Sequence, residues 1–250
     1  MQAIDVVMLT KNSEYMLKRS LSSIYENVPV RNLIVVDGFS TDRTLKILDQ
    51  FNNQYGNVKL LSSSGSRAKA REKGIIHVGT EWFLFADSDI VLSKNWFLNA
   101  QKSIQKDVGA IWGINIDVVP KLFNKRYLRL QTLVAKECFE LRGGTHDTLI
   151  RRDLVQDIKI PEKLHTYEDA YIMNWIKDKG YKTLVGDGIF CLHFKPSENW
   201  NIRNAISGAI LELKCGLIYS RNFVYMMYYP FFAGHWIIQM TFQNVKSLFS

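Results

Sequence analysis

A chain of 250 residues that is 47% hydrophobic and 22% charged can bury a sizeable core, and its composition is that of a globular protein. The length fits one large domain or one domain with an appended element. The net charge of +8 predicts an anionic partner, which leaves nucleic acid, a phosphorylated small molecule and an acidic membrane surface open.

The cysteines and the N-terminus both indicate a cytosolic protein. Cys138, Cys191 and Cys215 form no CxxC pair and are odd in number, which argues against a zinc site and favours reduced thiols. Residues 1–5 have neither the basic head nor the apolar run of a signal peptide. We therefore expect a cytoplasmic location.

Strand and helix patterns alternate through the first hundred residues. We predict strands at residues 4–9, 32–36, 58–61 and 82–86. The helices between them should begin near Asn12 or Ser13, near Thr41 or Asp42, and at the basic residues from Arg67. This alternation predicts an α/β fold with a mainly parallel, doubly wound sheet flanked by helices.

The fourth strand ends in Asp87-Ser88-Asp89 after an unbroken apolar run. Such a run suits a strand that is buried on both faces, and ligands of these sheets bind outside the carboxyl ends of the strands. Two neighbouring carboxylates suit a hard cation such as Mg²⁺ or Mn²⁺. The alternative is a turn in which Asp89 or Ser93 caps the next helix.

Polar side chains collect at the same edge of the predicted sheet, and two arginines follow a Ser/Gly loop beside them. These residues are Thr10, Asn12, Asp37, Asp87, Asp89, Arg67 and Arg71. Acids suit base, ribose or metal, and guanidinium groups suit phosphate, so the set predicts a nucleoside diphosphate site. Neither GxxxxGK[ST] nor GxGxxG is present, which argues against an ATPase or a dinucleotide dehydrogenase.

These residues resemble the GT-A glycosyltransferases, in particular the large family 2 of inverting, nucleotide-sugar-dependent enzymes. The matching segments are residues 10–12, 35–44, 70–75 and 87–89, which cover roughly the first 100 residues. The resemblance implies a GT-A (Rossmann-like) fold. One departure is Glu72, where the family often has Asn.

The resemblance also assigns roles in the nucleotide half. Asp37 would contact the base or ribose, with Thr10 and Asn12 beside it, and Arg67 and Arg71 would bind the nucleotide. Asp87, Ser88 and Asp89 would serve the ribose and the metal on the diphosphate, with Mn²⁺ or Mg²⁺ as cofactor. We expect Asp89 to be the direct metal ligand and Asp87 to serve mainly ribose or a metal-bound water.

The second half should begin with a strand at residues 110–119 and a helix at 121–140. The paired glycines at 143 and 144 and the short strand after them resemble the segment beneath the sugar in the family, which places Gly144 and His146 at the sugar. For His146 a structural role is the open alternative.

Glu168 and Asp169 open a predicted helix that runs to residue 179 and stops at Gly180. They resemble the Glu-Asp motif of the family, and inverting transfer to a hydroxyl needs a base. Asp169 is our choice for that base, with Glu168 second. The alternative is that both acids only stabilise the helix N-terminus. The absence of a Gln-x-x-Arg-Trp signature favours transfer of a single sugar.

Towards the C-terminus, His193 follows a short strand, where several relatives complete the metal shell with a His; a core or surface His is the alternative. Residues 222–242 are rich in aromatics but interrupted by Pro230. Residues 222–249 could form an element that lies in the membrane interface, or helices that pack on the domain or on the partner in a homodimer, and we keep both alternatives.

We predict a GT-A catalytic domain at 1–198, with a nucleotide half at 1–108 and an acceptor half at 109–198, and a helical, aromatic-rich extension at 199–250. The predicted reaction is metal-dependent, inverting transfer of one sugar from a UDP- or GDP-sugar to a hydroxyl of a glycan or lipid-linked acceptor. The alternatives are a polyprenyl-phosphate sugar synthase and a basic nucleic-acid-binding protein. Nucleic acid is disfavoured because the basic helix lies beside acidic strand ends. Location would be cytoplasmic, with peripheral contact at the cytoplasmic membrane face as an option.

Overall fold

The computed structural model describes residues 2–118, 143–164, 167–194 and 202–219, together with single positions at 230, 234 and 238. The helix predicted over 121–140 lies outside these residues. So does the aromatic segment at 222–249 apart from those three positions, and with it the predicted membrane or dimer contact.

One eight-stranded sheet forms the centre of the part of the chain that the structure describes. Its strands are β1 Ile4–Thr10, β2 Val30–Asp37, β3 Val58–Ser62, β4 Trp82–Asp87, β5 Ile90–Leu92, β6 Val108–Asp117, β7 Asp147–Arg151 and β8 Lys182–His193. The order across the sheet is β3-β2-β1-β4-β7-β6-β8-β5. The β1–β2, β2–β3, β1–β4 and β6–β8 pairs are parallel, whereas β7 and β5 pair antiparallel to their neighbours. The predicted α/β sheet is therefore confirmed as mixed and mostly parallel.

Helices flank this sheet. They are α1 Leu17–Asn27, α2 Thr44–Tyr55, α3 Arg67–Ile76, α4 Trp96–Ala100, α5 Glu168–Asp178 and α6 Ile202–Tyr219. Among the helices described here, none is long and apolar enough to cross a membrane.

The side chains of β1 alternate between two buried clusters. Val6 and Met8 pack with Leu21 of α1, whereas Val7 belongs to the cluster that contains Ile75 of α3. Helices therefore cover both faces of the sheet, which explains the unbroken apolar run of β4 before Asp87. The polar residues that follow such a run lie where the strand ends, at the edge that a ligand can reach.

The helix starts differ from the predicted ones. Neither Asn12 nor Ser13 caps α1, which begins at Leu17, four residues after Ser13, because residues 14–16 form a turn first. Helix α2 begins at Thr44, and its first N–H donates to Asp42 Oδ1 at 2.9 Å, so Asp42 and not Thr41 supports that end. The proposed capping by Asp89 or Ser93 does not occur, because β5 follows directly and α4 begins at Trp96 without a side-chain cap.

The register of the parallel strands brings their carboxyl ends to one edge. Thr10 lies opposite Asp37, and Leu9 lies opposite Asp87. Asp37 in turn lies opposite Ser62 at the end of β3. This edge is where ligands of open α/β sheets bind.

Gly113 allows β6 to pass close to a buried carboxylate. The register between β6 and β8 shifts between Trp112 and Ile114, and a Cβ on Gly113 would lie 2.0 Å from Asp147 Oδ2. We expect Gly113→Ala to destabilise the fold by about 2–4 kcal/mol, through overpacking and through displacement of a hydrogen-bonded carboxylate. Urea unfolding measures this change.

The control is Gly208→Ala in α6, because a Cβ there would meet no atom of the described residues within 4 Å. That substitution should stabilise the helix by up to about 1 kcal/mol. Equal unfolding free energies for the Gly113→Ala variant and the wild-type protein would contradict the close approach to Asp147.

Candidate active site

A cavity of about 660 Å³ opens at the carboxyl edge of the sheet. Several predicted nucleotide-binding residues line it, namely Thr10, Asn12, Arg67, Arg71 and Ser88. The predicted metal ligands Asp87, Asp89 and His193 line it as well. The described residues that line the cavity do not include five other predicted site residues, namely Asp37, Gly144, His146, Glu168 and Asp169.

Asp37 holds the loop after β2 against the end of β1. Its Oδ1 accepts from Thr10 Oγ1 at 2.8 Å and from Ser40 Oγ at 2.6 Å, and its Oδ2 accepts from the Ser40 N–H at 2.8 Å. The side chain is buried, whereas its neighbour Gly38 lines the cavity. A contact between Asp37 and base or ribose stays a prediction.

Asn12 joins two of the loops that border the cavity. Its N–H donates to Ser40 Oγ at 2.8 Å, and its Oδ1 accepts from the Thr41 N–H at 2.8 Å. Asn12 has a φ of +50°, in the left-handed region that Asn tolerates better than most residues. The sequence indicated Asn12 but not its partners, because they lie almost thirty residues further along the chain.

Arg71 connects the cavity to the predicted catalytic helix. Its Nε lies 3.4 Å from Glu168 Oε1, and its Nη2 lies 3.7 Å from Asp87 Oδ1. The guanidinium group also lies 5.0 Å from the centre of the Phe85 ring, within cation–π range. Arg71 and Glu168 are 5% and 3% exposed, so this ion pair lies almost entirely out of water.

Glu168 and Asp169 occupy different environments although they are adjacent. Burial raises the pKa of Glu168, and the neighbouring Arg71 opposes this rise. Asp169 is partly exposed, and its Oδ1 accepts from the Ala170 N–H at 2.7 Å. Both acids lie in the first turn of α5, where a carboxylate stabilises the positive end of the helix dipole. The alternative that they only stabilise the helix N-terminus is thus also consistent with their position. Their catalytic roles therefore stay predictions.

Asp87, Asp89 and His193 form a cluster in which one ligand atom from each residue lies within 4.8 Å of the others. His193 Nε2 is 3.1 Å from Asp89 Oδ1. Two adjacent ligands, each about 2.1 Å from an octahedral ion, would be about 3.0 Å apart. Two carboxylates and one imidazole in this arrangement fit Mn²⁺ or Mg²⁺.

Strand pairing far apart in the sequence assembles this cluster. His193 lies opposite Ile90, the residue after Asp89, in the β5–β8 pair, and opposite Asp117 in the β6–β8 pair. Asp117 Oδ1 is 3.2 Å from His193 Nδ1. Sequence reasoning missed Asp117, whose one available signal was a carboxylate at the end of a strand.

His146 belongs to a buried polar group beneath the sheet edge. Its Nδ1 lies 2.6 Å from Asp147 Oδ1, and Trp96 Nε1 donates to Asp147 Oδ2 at 2.8 Å. Cys191 Sγ is 3.8 Å from the same ring nitrogen, and burial raises the pKa of this thiol. These contacts favour the structural alternative for His146, and a sugar contact by His146 or Gly144 stays a prediction.

The mixed, mostly parallel sheet covered by helices, with an acid- and arginine-lined cavity at its carboxyl edge, matches the GT-A (Rossmann-like) fold. The family model described as Glycosyl transferase family 2 matches residues 5–161, and the chain belongs to this family.

Two curated relatives have named acceptors. The chain is 27% identical over 238 residues to the poly(ribitol-phosphate) beta-N-acetylglucosaminyltransferase TarS of Staphylococcus aureus. This alignment covers 85% of the chain and 41% of TarS. The chain is 30% identical over 187 residues to the poly(ribitol-phosphate) beta-glucosyltransferase of Bacillus spizizenii, covering 68% of this chain and 29% of that protein. The chain thus spans less than half the length of either relative.

Two solved structures share the fold. The mannosyltransferase PcManGT from Pyrobaculum calidifontis, in complex with GDP-Man and Mn²⁺, has a TM-score of 0.67 at 18% identity and is matched over 100% of this chain and 78% of its own. S. aureus TarS 1–349 in complex with UDP-GlcNAc has a TM-score of 0.60 at 20% identity, over 97% of this chain and 73% of its own.

Proposed function

We propose that this protein is a metal-dependent, inverting glycosyltransferase that moves one sugar from a UDP- or GDP-sugar to an acceptor hydroxyl. The observation that carries the proposal is the cavity in which Arg67 and Arg71 accompany the Asp87–Asp89–His193 cluster. This combination suits a diphosphate, because guanidinium groups and a divalent ion both neutralise phosphate oxygens. The GDP-Man, UDP-GlcNAc and Mn²⁺ named with the structural neighbours support the same ligand class.

The bound metal would neutralise charge that develops on the diphosphate leaving group. Asp89 and His193 would hold it, with Asp87 at the ribose or at a metal-bound water. Arg71 would contact the phosphates from α3, and the buried Glu168 carboxylate would hold its guanidinium group in place. Ser88 would hold the loop after β1 in place, because its Oγ donates to Ser13 Oγ at 2.9 Å.

Asp169 would remove the proton from the acceptor hydroxyl. In an inverting reaction the hydroxyl attacks from the face opposite the departing nucleotide, and a carboxylate makes it a sufficient nucleophile. Asp169 suits this role better than Glu168, because Asp169 is partly exposed whereas Glu168 is buried against Arg71. Glu168 would thus act through Arg71.

We also propose that residues 1–198 form the catalytic domain, with its nucleotide half at 1–108 and its acceptor half at 109–198. Strands β6, β7 and β8 of the second half join the same sheet as β4, which supports one domain. Residues 199–250 would form the extension, of which α6 is a helix.

The acceptor class that we would test first is a phosphate-bearing polymer with free hydroxyls. Two relatives are named as poly(ribitol-phosphate) transferases, and the net charge of +8 favours an anionic acceptor. A polyprenyl phosphate is the second candidate. Its phosphate is already anionic and needs little help from a base, so the Glu168-Asp169 pair argues against it.

A thermal-shift series with UDP-, GDP-, CDP- and dTDP-sugars tests the donor. With Mn²⁺, one nucleotide class at 100 times its Kd should add about 2.7 kcal/mol of stability. For a chain of this size that corresponds to a rise in Tm of about 5–10 °C.

The control is the same series with EDTA in place of Mn²⁺, where the shift should be much smaller. Tight, salt-sensitive RNA binding together with an unchanged Tm for every sugar nucleotide would overturn the proposal in favour of a nucleic-acid-binding protein.

A further inference from the structure

Helix α3 contacts both ends of the stretch that leads into the predicted catalytic helix. Arg71 Nε lies 3.4 Å from Glu168 Oε1, at the start of α5. The next residue of α3, Glu72, accepts through Oε1 from the N–H of Ile160 at 2.5 Å. Two adjacent side chains of one helix thus hold residues 160 and 168, and Asp169 follows directly.

The N–H of Ile160 needs a side-chain acceptor. Ile160 is 2% exposed and lies outside the described helices and strands, where no regular ladder supplies a carbonyl. Pro161 follows it and restricts Ile160 to extended conformations. The Glu72 side chain is 12% exposed, so its hydrogen bond to this buried donor meets little competition from water.

The other polar contact of Glu72 is weaker. Its Oε2 lies 3.9 Å from Lys69 Nζ, and the Lys69 side chain is 46% exposed. An ion pair at this distance and exposure contributes little. The contact with Ile160 is therefore the one through which a substitution of Glu72 should act.

This contact joins the two halves of the proposed catalytic domain. Helix α3 carries Arg67 and Arg71, which line the cavity, whereas Ile160 belongs to the half that carries Asp169. A general base must lie within hydrogen-bond reach of the proton that it removes. A displacement of about 1 Å, caused far from the reacting atoms, can lower a rate about 100-fold.

We propose that Glu72 is a positioning residue that holds the segment before α5 against α3 and so keeps Asp169 at a fixed distance from the bound donor. This inference rests on the proposed function, in which Asp169 is the base. Glu72 is not among the described residues that line the cavity, so its loss should lower kcat and leave donor binding unchanged.

The test compares Glu72→Asn with Glu72→Gln in the full chain. Both substitutions remove the charge, but Gln keeps an acceptor oxygen at the reach of Glu, whereas Asn is one methylene shorter. Glu72→Asn should lower kcat for transfer to a hydroxyl by up to about 100-fold, and Glu72→Gln should retain most of the wild-type kcat. Both should keep the wild-type Tm shift with Mn²⁺ and the sugar nucleotide. Rates are measured below the melting temperature of every variant, so that only folded protein is compared.

Two further variants separate positioning from a general loss of structure. Lys69→Ala removes the other partner of Glu72 and should leave kcat and the donor-induced Tm shift unchanged. In an Asp169→Asn background, Glu72→Asn should cause no further fall in kcat, because the group that it positions can no longer take the proton. A residue that only stabilises the fold would not show this dependence on Asp169.

Wild-type kcat in Glu72→Asn, whether or not its melting temperature falls, would overturn this inference and leave the proposed function standing. An equal fall of kcat in Glu72→Gln would do the same, because the effect would then follow charge and not reach. A further loss in the Asp169→Asn background, or a lost donor-induced Tm shift, would also overturn it. A near-normal kcat in Asp169→Asn alone would instead overturn the assignment of the base, and this inference with it.

Discussion

Replacing Asp169 with Asn should lower kcat for transfer to a hydroxyl about 10²–10⁴-fold, the usual contribution of a positioned general base. The amide has nearly the shape of the carboxylate and can still accept from the Ala170 N–H, as Asp169 Oδ1 does now at 2.7 Å. The helix start should therefore be preserved. What is lost is a group that can take the proton of the acceptor.

Donor binding separates a missing base from a damaged site. Because Asp169 is not among the described residues that line the cavity, the Mn²⁺-dependent Tm shift with the sugar nucleotide should stay at its wild-type value. Asp178→Asn is the matched control, since Asp178 is an exposed acid at the other end of the same helix α5. Its kcat should be unchanged.

Both acceptor classes belong in this experiment. If Asp169→Asn transfers sugar to a hydroxyl acceptor at a near-normal rate, Asp169 is not the base. If the wild-type protein and the variant transfer equally well to a polyprenyl phosphate and neither uses hydroxyls, the second candidate function replaces the first.

Much of the nucleotide half could be predicted because its signals are local. Parallel strands that are apolar throughout must change to polar residues where they end, and their ends share an edge. Thr10, Asp37 and Asp87 could thus be placed together from the sequence, and the register agrees. The start of α1 could not be predicted from the sequence. The loop before this helix is held by Ser40 and Thr41 of a neighbouring loop, about thirty residues further along the chain.

The Asp87–Asp89–His193 cluster shows what local patterns leave out. His193 was a candidate by resemblance, but its contact with Asp89 depends on the antiparallel pairing of β5 with β8, about a hundred residues apart. Asp117 reaches the same ring through β6. For His146 the resemblance indicated the sugar, and its contacts include the buried Asp147 and Cys191, which favour the structural alternative; the sugar contact stays a prediction.

Replacing Asp89 with Ala should lower kcat/KM about 10³-fold, or about 4 kcal/mol of transition-state stabilisation, because several kcal/mol of charge neutralisation on the leaving group depend on a correctly held metal. Its Oδ1 lies 3.1 Å from His193 Nε2, so the substitution would remove a proposed metal ligand and the carboxylate beside Nε2. The measurement is kcat/KM over a range of Mn²⁺ concentrations.

Asp87→Asn is the comparison that separates a metal ligand from a ribose contact. Asp87 Oδ1 is 3.7 Å from the Arg71 guanidinium, and we expect Asp87 to serve ribose or a metal-bound water, so its loss should raise KM for the donor more than it shifts the Mn²⁺ dependence. For Asp89→Ala the required Mn²⁺ concentration should rise instead.

Asp187→Asn, at an exposed position of β8, is the control for changing the charge of a carboxylate on the strand that carries His193, and it should change neither quantity. The decisive measurement is donor affinity with EDTA. If Asp89→Ala weakens donor binding as much without metal as with it, the carboxylate contacts the nucleotide directly. If the loss appears only with Mn²⁺, Asp89 acts through the ion, because only then does its effect depend on the ion being bound.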